Sequence, residues 1–413
     1  MNVELHKPIN QVSGIVTPPG SKSISNRILI IKALSGLDIE IKNLSNSDDT
    51  NHLKKALTNY VSQTIIDVGH AGTDMRFLTA FLSLKNGDYE LTGSERLQQR
   101  PIKDLVEVLK KLGADITYKK NEGFPPLQIK GKQLTGGVVE ISGSVSSQFI
   151  TALLLVAPYF RNGLDLIIKD ELVSKPYVDM TIALMKEFGA AVDWCENKIS
   201  VLPISYSYDK KEFIVESDWS AASYYYSIIA LSTVGTKLIL KNLFKNSLQA
   251  DSECENIYRS LGVETEFKKN EIVVSKTHHT NHTTLALDFI QCPDIAQTVV
   301  CSCIGLKVPF VFNGLQTLKI KETDRIIALK NELKKFGYVM EITDNSIKWI
   351  NQKVIANDNL SIATYNDHRM AMSFTPLCLL HENIVIENAE VVSKSYPLFW
   401  EDLKHIGINQ TLV

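Results

Sequence analysis

The chain has 413 residues, 44% of them hydrophobic and 22% charged, with a formal net charge of −2 at pH 7. That length exceeds one ordinary hydrophobic core and predicts two domains, while the near-neutral balance excludes nucleic acid or an anionic membrane as a bulk electrostatic partner. Six scattered cysteines (Cys195, Cys254, Cys292, Cys301, Cys303 and Cys378) form no disulfide framework and fit a reducing cytoplasm.

Residues 1–10 are mixed polar without an apolar h-region, so no signal peptide is expected. Next, Pro18-Pro19-Gly20 ends a strand-like run, and Ser21-Lys22-Ser23-Ile24-Ser25-Asn26-Arg27 leads into the apolar pattern Ile28-Leu29-Ile30-Ile31. Free backbone N–H groups, the positive end of the helix dipole, hydroxyls and two cations all suit a phosphate or carboxylate guest. The plain alternative is a Ser N-cap with two solvated cations. Apolar runs such as 150–160 are about half a membrane span, so no membrane partner is expected.

Further along, an amphipathic helix, a glycine and a strand recur four times, with Gly113, Gly189, Gly262 and Gly337 at intervals of 76, 73 and 75 residues. Each glycine stands where a left-handed residue would end a helix. A second set of marks opens the other helix of each unit. Ser23, Thr73, Ser146, Ser220, Asp294 and Asp367 follow one another by 50, 73, 74, 74 and 73 residues. Six β/α units, the first abbreviated, predict an α/β (α+β) chain of two similar lobes, each three repeats with pseudo-threefold symmetry. The expected domains are 1–20 with 218–413, and 21–217. A solenoid is disfavoured because its repeats are usually about half this length.

In such lobes helix N-termini converge, and two converging ends would make an interdomain cleft for dianions. Arginine occurs at only eight positions, and Arg27, Arg76 and Arg369 fall at helix openings while Arg100 and Arg325 fall in turns before a second helix. Bidentate recognition of carboxylate or phosphate needs Arg in such places, whereas a solvated surface does not. Lys321-Glu322-Thr323-Asp324-Arg325 reads either as an ion-paired surface helix or as a carboxyl group, Glu322, held among cations for proton exchange with carbon. Asp294, after Cys292-Pro293, is by default an N-cap and otherwise a base for a hydroxyl proton. Gly20-Ser21-Lys22-Ser23 departs from a P-loop, and no G-x-G-x-x-G follows a strand. Cys301-Ser302-Cys303 lacks a second metal-ligand pair, and His278, His279 and His282 read as a solvated loop. No metal site is expected.

Taken together, Pro19-Gly20-Ser21-Lys22-Ser23-Ile24-Ser25-Asn26-Arg27, Ala71-Gly72-Thr73-Asp74-Met75-Arg76, Arg100-Pro101, Gly143-Ser144-Val145-Ser146-Ser147-Gln148, Ser174-Lys175-Pro176-Tyr177, Pro293-Asp294, Lys321-Glu322-Thr323-Asp324-Arg325, Asn366-Asp367-His368-Arg369 and Lys394 closely resemble the EPSP synthase (enolpyruvyl transferase) family along the whole chain. The resemblance implies a cytoplasmic, monomeric, two-domain enzyme without cofactor. Such an enzyme moves the enolpyruvyl group of phosphoenolpyruvate to the 5-hydroxyl of shikimate 3-phosphate, in the pathway to chorismate and the aromatic amino acids. By position it implies that Lys22, Ser23, Arg27, Ser146, Ser147, Gln148, Ser174, Tyr177, Asp294, Thr317 and Lys321 hold shikimate 3-phosphate. It assigns Lys22, Gly72, Arg100, Gln148, Arg325, Arg369 and Lys394 to phosphoenolpyruvate. Catalysis would fall to Asp294 on the attacking hydroxyl, Glu322 on the methylene carbon and Lys22 on developing oxygen charge.

Some positions depart from the family pattern. His70 and Thr317 stand where the family usually has Asn, and Asp74 and Phe77 replace a small residue and a Pro. The rivals are a sister enzyme acting on UDP-N-acetylglucosamine, which would be expected to offer a reactive Cys in a mobile loop and Lys-Asn near the N-terminus, and a non-catalytic anion-binding protein on the same scaffold. Here Lys22 is followed by Ser23, 72–76 holds no thiol, and both Glu322 and Asp294 are present.

Overall fold

A computed structural model describes residues 1–413 apart from Val145, Val173, His282, Asp358 and Asn359. Val145 of the Gly143–Gln148 motif and His282 of the histidine group thus lie outside the described residues. The chain divides into two compact units, Met1–Gly20 with Glu216–Val413, and Ser21–Val215. The second crossing therefore falls between Val215 and Glu216, where the sequence predicts it between Ser217 and Asp218. Each unit has its own apolar core.

Among the described residues each unit contains three sheets. In the Ser21–Val215 unit, Ile65–Asp67 runs parallel to Gly87–Thr92, which pairs antiparallel with Leu127–Gly131, and that in turn with Asp115–Tyr118. The helix Gly72–Leu84 makes the parallel crossover, and Lys103–Lys111 leads to the antiparallel hairpin. Gly137–Ser142 and Leu164–Lys169 repeat the pattern around Ser147–Val156. So do Leu285–Asp288 and Phe310–Asn313 around Ala296–Leu306, and Leu360–Ile362 and Ile384–Ile386 around His368–Phe374.

The abbreviated first unit has a topological cause. The strand before the Lys22–Ser35 helix, Ser13–Val16, pairs in parallel with Lys237–Lys241 instead of with its own neighbour. The strand before Trp219–Leu231, Glu212–Ile214, pairs with Glu40–Lys42. Each chain crossing thus completes a repeat whose other strand is far away in sequence, and Glu40–Lys42 is left in a two-stranded sheet.

The six marks lie at or beside the starts of Lys22–Ser35, Gly72–Leu84, Ser147–Val156, Trp219–Leu231, Ala296–Leu306 and His368–Phe374. These helices are largely buried, and in Trp219–Leu231 every residue is, as expected of helices at the centre of a core. Some of their buried polar side chains bond one another across helices. In one unit Thr298 meets both Ser223 at 3.2 Å and Ser373 at 3.1 Å, joining three central helices. The glycines that end the second helices adopt the left-handed conformation, with φ of 104° at Gly113, 78° at Gly189, 80° at Gly262 and 85° at Gly337. No helix among the described residues is long and apolar enough to cross a membrane.

Candidate active site

In the Ser21–Val215 unit the starts of three helices are tied together. Asn26 donates to Asp74 at 2.9 Å, Gln148 donates to Thr73 at 3.1 Å, and Arg27 donates to Thr151 at 3.3 Å. Ser21 does not act as the side-chain cap that the plain alternative required; its hydroxyl is buried with no hydrogen-bond partner among the described residues. Lys22 pairs with Asp49 at 2.9 Å, and Ser23 is half-buried beside it. Ser146 caps Ser147–Val156 by accepting from the Gln148 N–H at 3.4 Å, and Ser147 and Gln148 form the half-buried first turn. Ser174, with φ of 60°, precedes Lys175–Glu187, whose Tyr177 carbonyl accepts from Arg27 at 3.2 Å.

Gly72 is buried, and the Arg100 guanidinium lies directly on it: an added Cβ would stand 3.0 Å from Arg100 Cζ. Arg76 is not available for a bound anion. Its guanidinium donates to the Gly72 carbonyl at 2.9 Å and the Pro101 carbonyl at 3.0 Å, fixing the two segments between which Arg100 projects. Arg27 gives donors to Thr181, Ser23 and Tyr177 inside the unit. Burial pulls the two guanidinium pKa values down, to about 9 for Arg76 and about 10 for Arg27. The two departures in this helix face the Lys22–Ser35 helix. Asp74 accepts from Asn26, and the Phe77 ring lies 5.7 Å from the Arg27 guanidinium. Burial, reinforced by Asp49, pushes Asp74 well above the usual carboxylate range and so towards its neutral form.

The other unit concentrates charge around Arg325, the first residue of Arg325–Lys335 and 1% exposed. Its guanidinium grips Asp367 at 2.7 and 3.3 Å, Asp294 at 3.1 Å and Glu322 at 2.8 Å. Arg369 reaches Asp294 Oδ2 at 3.2 Å and the Asp294 carbonyl at 3.2 Å, and Lys321 lies 3.5 Å from Asp294. Burial alone would lower the Arg325 pKa. Asp367, Glu322 and Asp294 overcome it and hold the group above its ordinary value. Arg369 is held up in the same way, by Asp294 first.

Two sequence alternatives are corrected here. Asp294 is not an N-cap: it sits in the short Pro293–Ile295 turn and spends its carboxylate on cations. Lys321–Asp324 is not part of a surface helix either. It is an irregular turn ending at Asp324, which caps the next helix by accepting from Ile326 and Ile327. Glu322 is exposed, while the Thr317 hydroxyl is buried without a hydrogen-bond partner among the described residues. Lys394 donates to the Asn366 carbonyl at 2.7 Å. His70 is exposed.

The family description "EPSP synthase (3-phosphoshikimate 1-carboxyvinyltransferase)" matches residues 6–61 and 58–403. The chain belongs to the EPSP synthase family. The 3-phosphoshikimate 1-carboxyvinyltransferase of Bacteroides fragilis (strain YCH46) is 48% identical over 96% of both chains. The protein of that name from Vibrio atlanticus is 36% identical over 97% of this chain and 99% of its own. Two solved EPSP synthase structures from Acinetobacter baumannii share the fold across 100% of both chains, with TM-scores of 0.81 and 0.82 at 21% identity.

Sequence reasoning undervalued three acids in this member of the family. Asp367 served as a helix mark, yet it is fully buried as the two-pronged partner of Arg325. Asp49 holds Lys22, although the pair Asp48-Asp49 reads as an ordinary acidic first turn. Asp251 is buried against Ser220, with one oxygen unpartnered among the described residues. Burial, then Asp294, raises its pKa to about 7. Only Asp367 carried a signal, its place directly before His368-Arg369.

Proposed function

We propose that this chain transfers the enolpyruvyl group of phosphoenolpyruvate to the 5-hydroxyl of shikimate 3-phosphate, giving 5-enolpyruvylshikimate 3-phosphate and phosphate. The observation that carries the reading is the buried Arg325, which gathers a half-buried Asp294 and an exposed Glu322 beside Arg369 and Lys321. Two carboxyl groups among several cations suit a reaction that moves protons to and from carbon and oxygen while its substrates are polyanions.

In the addition step, Glu322 gives a proton to the methylene carbon of phosphoenolpyruvate, and Asp294 takes the proton of the attacking 5-hydroxyl. In the elimination step, Glu322 removes a proton from the new methyl group as the carbon–oxygen bond to phosphate breaks, and the proton on Asp294 leaves with phosphate. Each carboxyl group ends as it began. Lys22 offsets charge on the bridging and leaving oxygens. Gly72, Arg100, Gln148, Arg325, Arg369 and Lys394 hold phosphoenolpyruvate. Ser23, Arg27, Ser146, Ser147, Gln148, Ser174, Tyr177, Thr317 and Lys321 hold shikimate 3-phosphate. The unpartnered Thr317 hydroxyl supports its place in that set, since a buried polar atom is costly without a partner. The reading takes Met1–Gly20 with Glu216–Val413, and Ser21–Val215, as the two domains of a cytoplasmic monomer. All six cysteines being free agrees with a reducing compartment.

The test is phosphate release from the purified chain. Release must require both substrates and stop when either is omitted. Release supported by UDP-N-acetylglucosamine in place of shikimate 3-phosphate, or by phosphoenolpyruvate alone, would remove the reading.

A further inference from the structure

Glu332 lies near the end of Arg325–Lys335, well along the helix from Arg325, and is 1% exposed. Docking of that helix is already provided by the buried Leu329, Leu333 and Phe336. A carboxylate in such a place is costly unless its oxygens are satisfied. Here they accept from Lys335 at 2.6 Å, from the Ala363 N–H at 3.1 Å and from the Tyr365 hydroxyl at 2.8 Å. Two of the three donors belong to the segment leading into His368–Phe374.

That segment is bent in an unusual way. Tyr365 and Asn366 have φ of 55° and 56°, two successive residues with side chains in the left-handed region. Asn tolerates this conformation, but a bulky residue does so only when its surroundings hold it there. The bend turns the Asn366 carbonyl to accept from Lys394 at 2.7 Å. It also sets Asp367, whose carboxylate holds Arg325 and accepts from the Arg369 N–H at 2.8 Å. One strained turn therefore fixes Lys394 directly and Arg325 and Arg369 through Asp367.

We propose that Glu332 and Tyr365 are positioning residues for the phosphoenolpyruvate-binding cations: the Tyr365 hydroxyl on Glu332 clamps the left-handed turn that sets Lys394, Arg325 and Arg369. The proposal rests on the reading that these three cations hold phosphoenolpyruvate. A simple helix-docking role would need only the Glu332–Lys335 pair, whereas the Tyr365 hydroxyl also reaches Glu332 and its neighbour Asn331 from the left-handed turn.

Tyr365→Phe removes only the hydroxyl, and Glu332→Gln keeps the side-chain shape. In the full chain, Tyr365→Phe should raise the KM for phosphoenolpyruvate about three- to ten-fold, the factor carried by one lost hydrogen bond. The KM for shikimate 3-phosphate and kcat should change by less than about two-fold. Glu332→Gln should move the same constant in the same direction. A lowered melting temperature with an unmoved KM for phosphoenolpyruvate, or an equal rise in both KM values, overturns the proposal. Should Glu332→Gln fail to fold, Tyr365→Phe alone decides. An unsubstituted chain with no two-substrate turnover defeats the underlying reading as well. Turnover with variants indistinguishable from it defeats this proposal only.

Discussion

Gly72→Ala isolates the role of one side chain's position. An ideal Cβ on residue 72 would stand 3.0 Å from Arg100 Cζ and 3.2 Å from Nη2, and closer still to Nη1. Unstrained heavy-atom contacts lie at about 3.5–4.0 Å, so the guanidinium must retreat by roughly 1 Å. Gly72 is the first residue of its helix and not among the positive-φ glycines, so Ala fits the backbone. The half-exposed Arg100 can move aside, which keeps the stability change within about 0.5 kcal/mol. Binding responds differently. A charge-assisted hydrogen bond contributes about 1.5–3 kcal/mol, so losing its geometry should weaken phosphoenolpyruvate binding about ten- to 150-fold. The KM for phosphoenolpyruvate at saturating shikimate 3-phosphate, read by phosphate release, measures this, alongside a thermal melt. The decisive control is the Arg100→Ala background. Arg100→Ala should itself weaken binding, and adding Gly72→Ala to it should cost nothing further, because the clashing group has gone. Unchanged affinity in the single variant, or a fully additive loss in the double variant, would refute the reasoning.

Glu322→Gln should preserve folding and the binding of both substrates while lowering turnover by about 10²- to 10⁴-fold, the usual contribution of a positioned acid or base; phosphate release at the wild-type rate would exclude Glu322 from proton transfer. Arg325→Met strands the fully buried Asp367 without its partner and should cost about 3–5 kcal/mol, read as a lower urea midpoint; a change under about 1 kcal/mol would mean that Asp367 is held by other groups. For Asp251, lifted to about 7 by burial and then by Asp294, the folded chain binds more protons than the unfolded one above about pH 4. Stability from this group therefore falls as pH rises through that window and is fully lost above about 7. Asp251→Asn has no such group, so comparing urea midpoints at pH 5 and pH 8 should show the variant gaining on the parent at the higher pH, and a gap independent of pH would contradict the shift.

The repeat was legible because backbone constraints punctuate it. A left-handed residue must end each second helix, and Gly113, Gly189, Gly262 and Gly337 all have positive φ. The six helix starts were equally visible, since a small polar residue before an apolar run has few other places to go. What stayed hidden was pairing. Ser223, Thr298 and Ser373 are 75 residues apart and meet between three helices, yet each reads singly as a tolerated hydroxyl in an apolar helix. Lys22 and Arg325 stood out as cations, but their carboxylate partners Asp49 and Asp367 come from elements whose register no local pattern specifies. The crossing of Ser13–Val16 and Glu212–Ile214 into sheets distant in sequence was equally beyond local propensity.

These partners explain how a chain of net charge −2 can present cations to polyanions. A guanidinium that is 1% exposed would lose most of its hydration unaided, and Asp367 replaces that hydration with two fixed bonds. Asp367 is itself fully buried and held in place by the Arg369 N–H, so it orients Arg325 without competing for solvent. Glu322 differs: it is exposed and takes one edge of the same fork. Its contact, made at the rim and not in the core, costs far less to break than that of Asp367. Should an anion bind at Arg325, the Glu322 contact is the one it would displace more readily than that of Asp367. The same guanidinium thus has a fully buried partner that fixes its direction and a second one at the exposed rim. Lysine, a point charge without a planar fork, could not serve both.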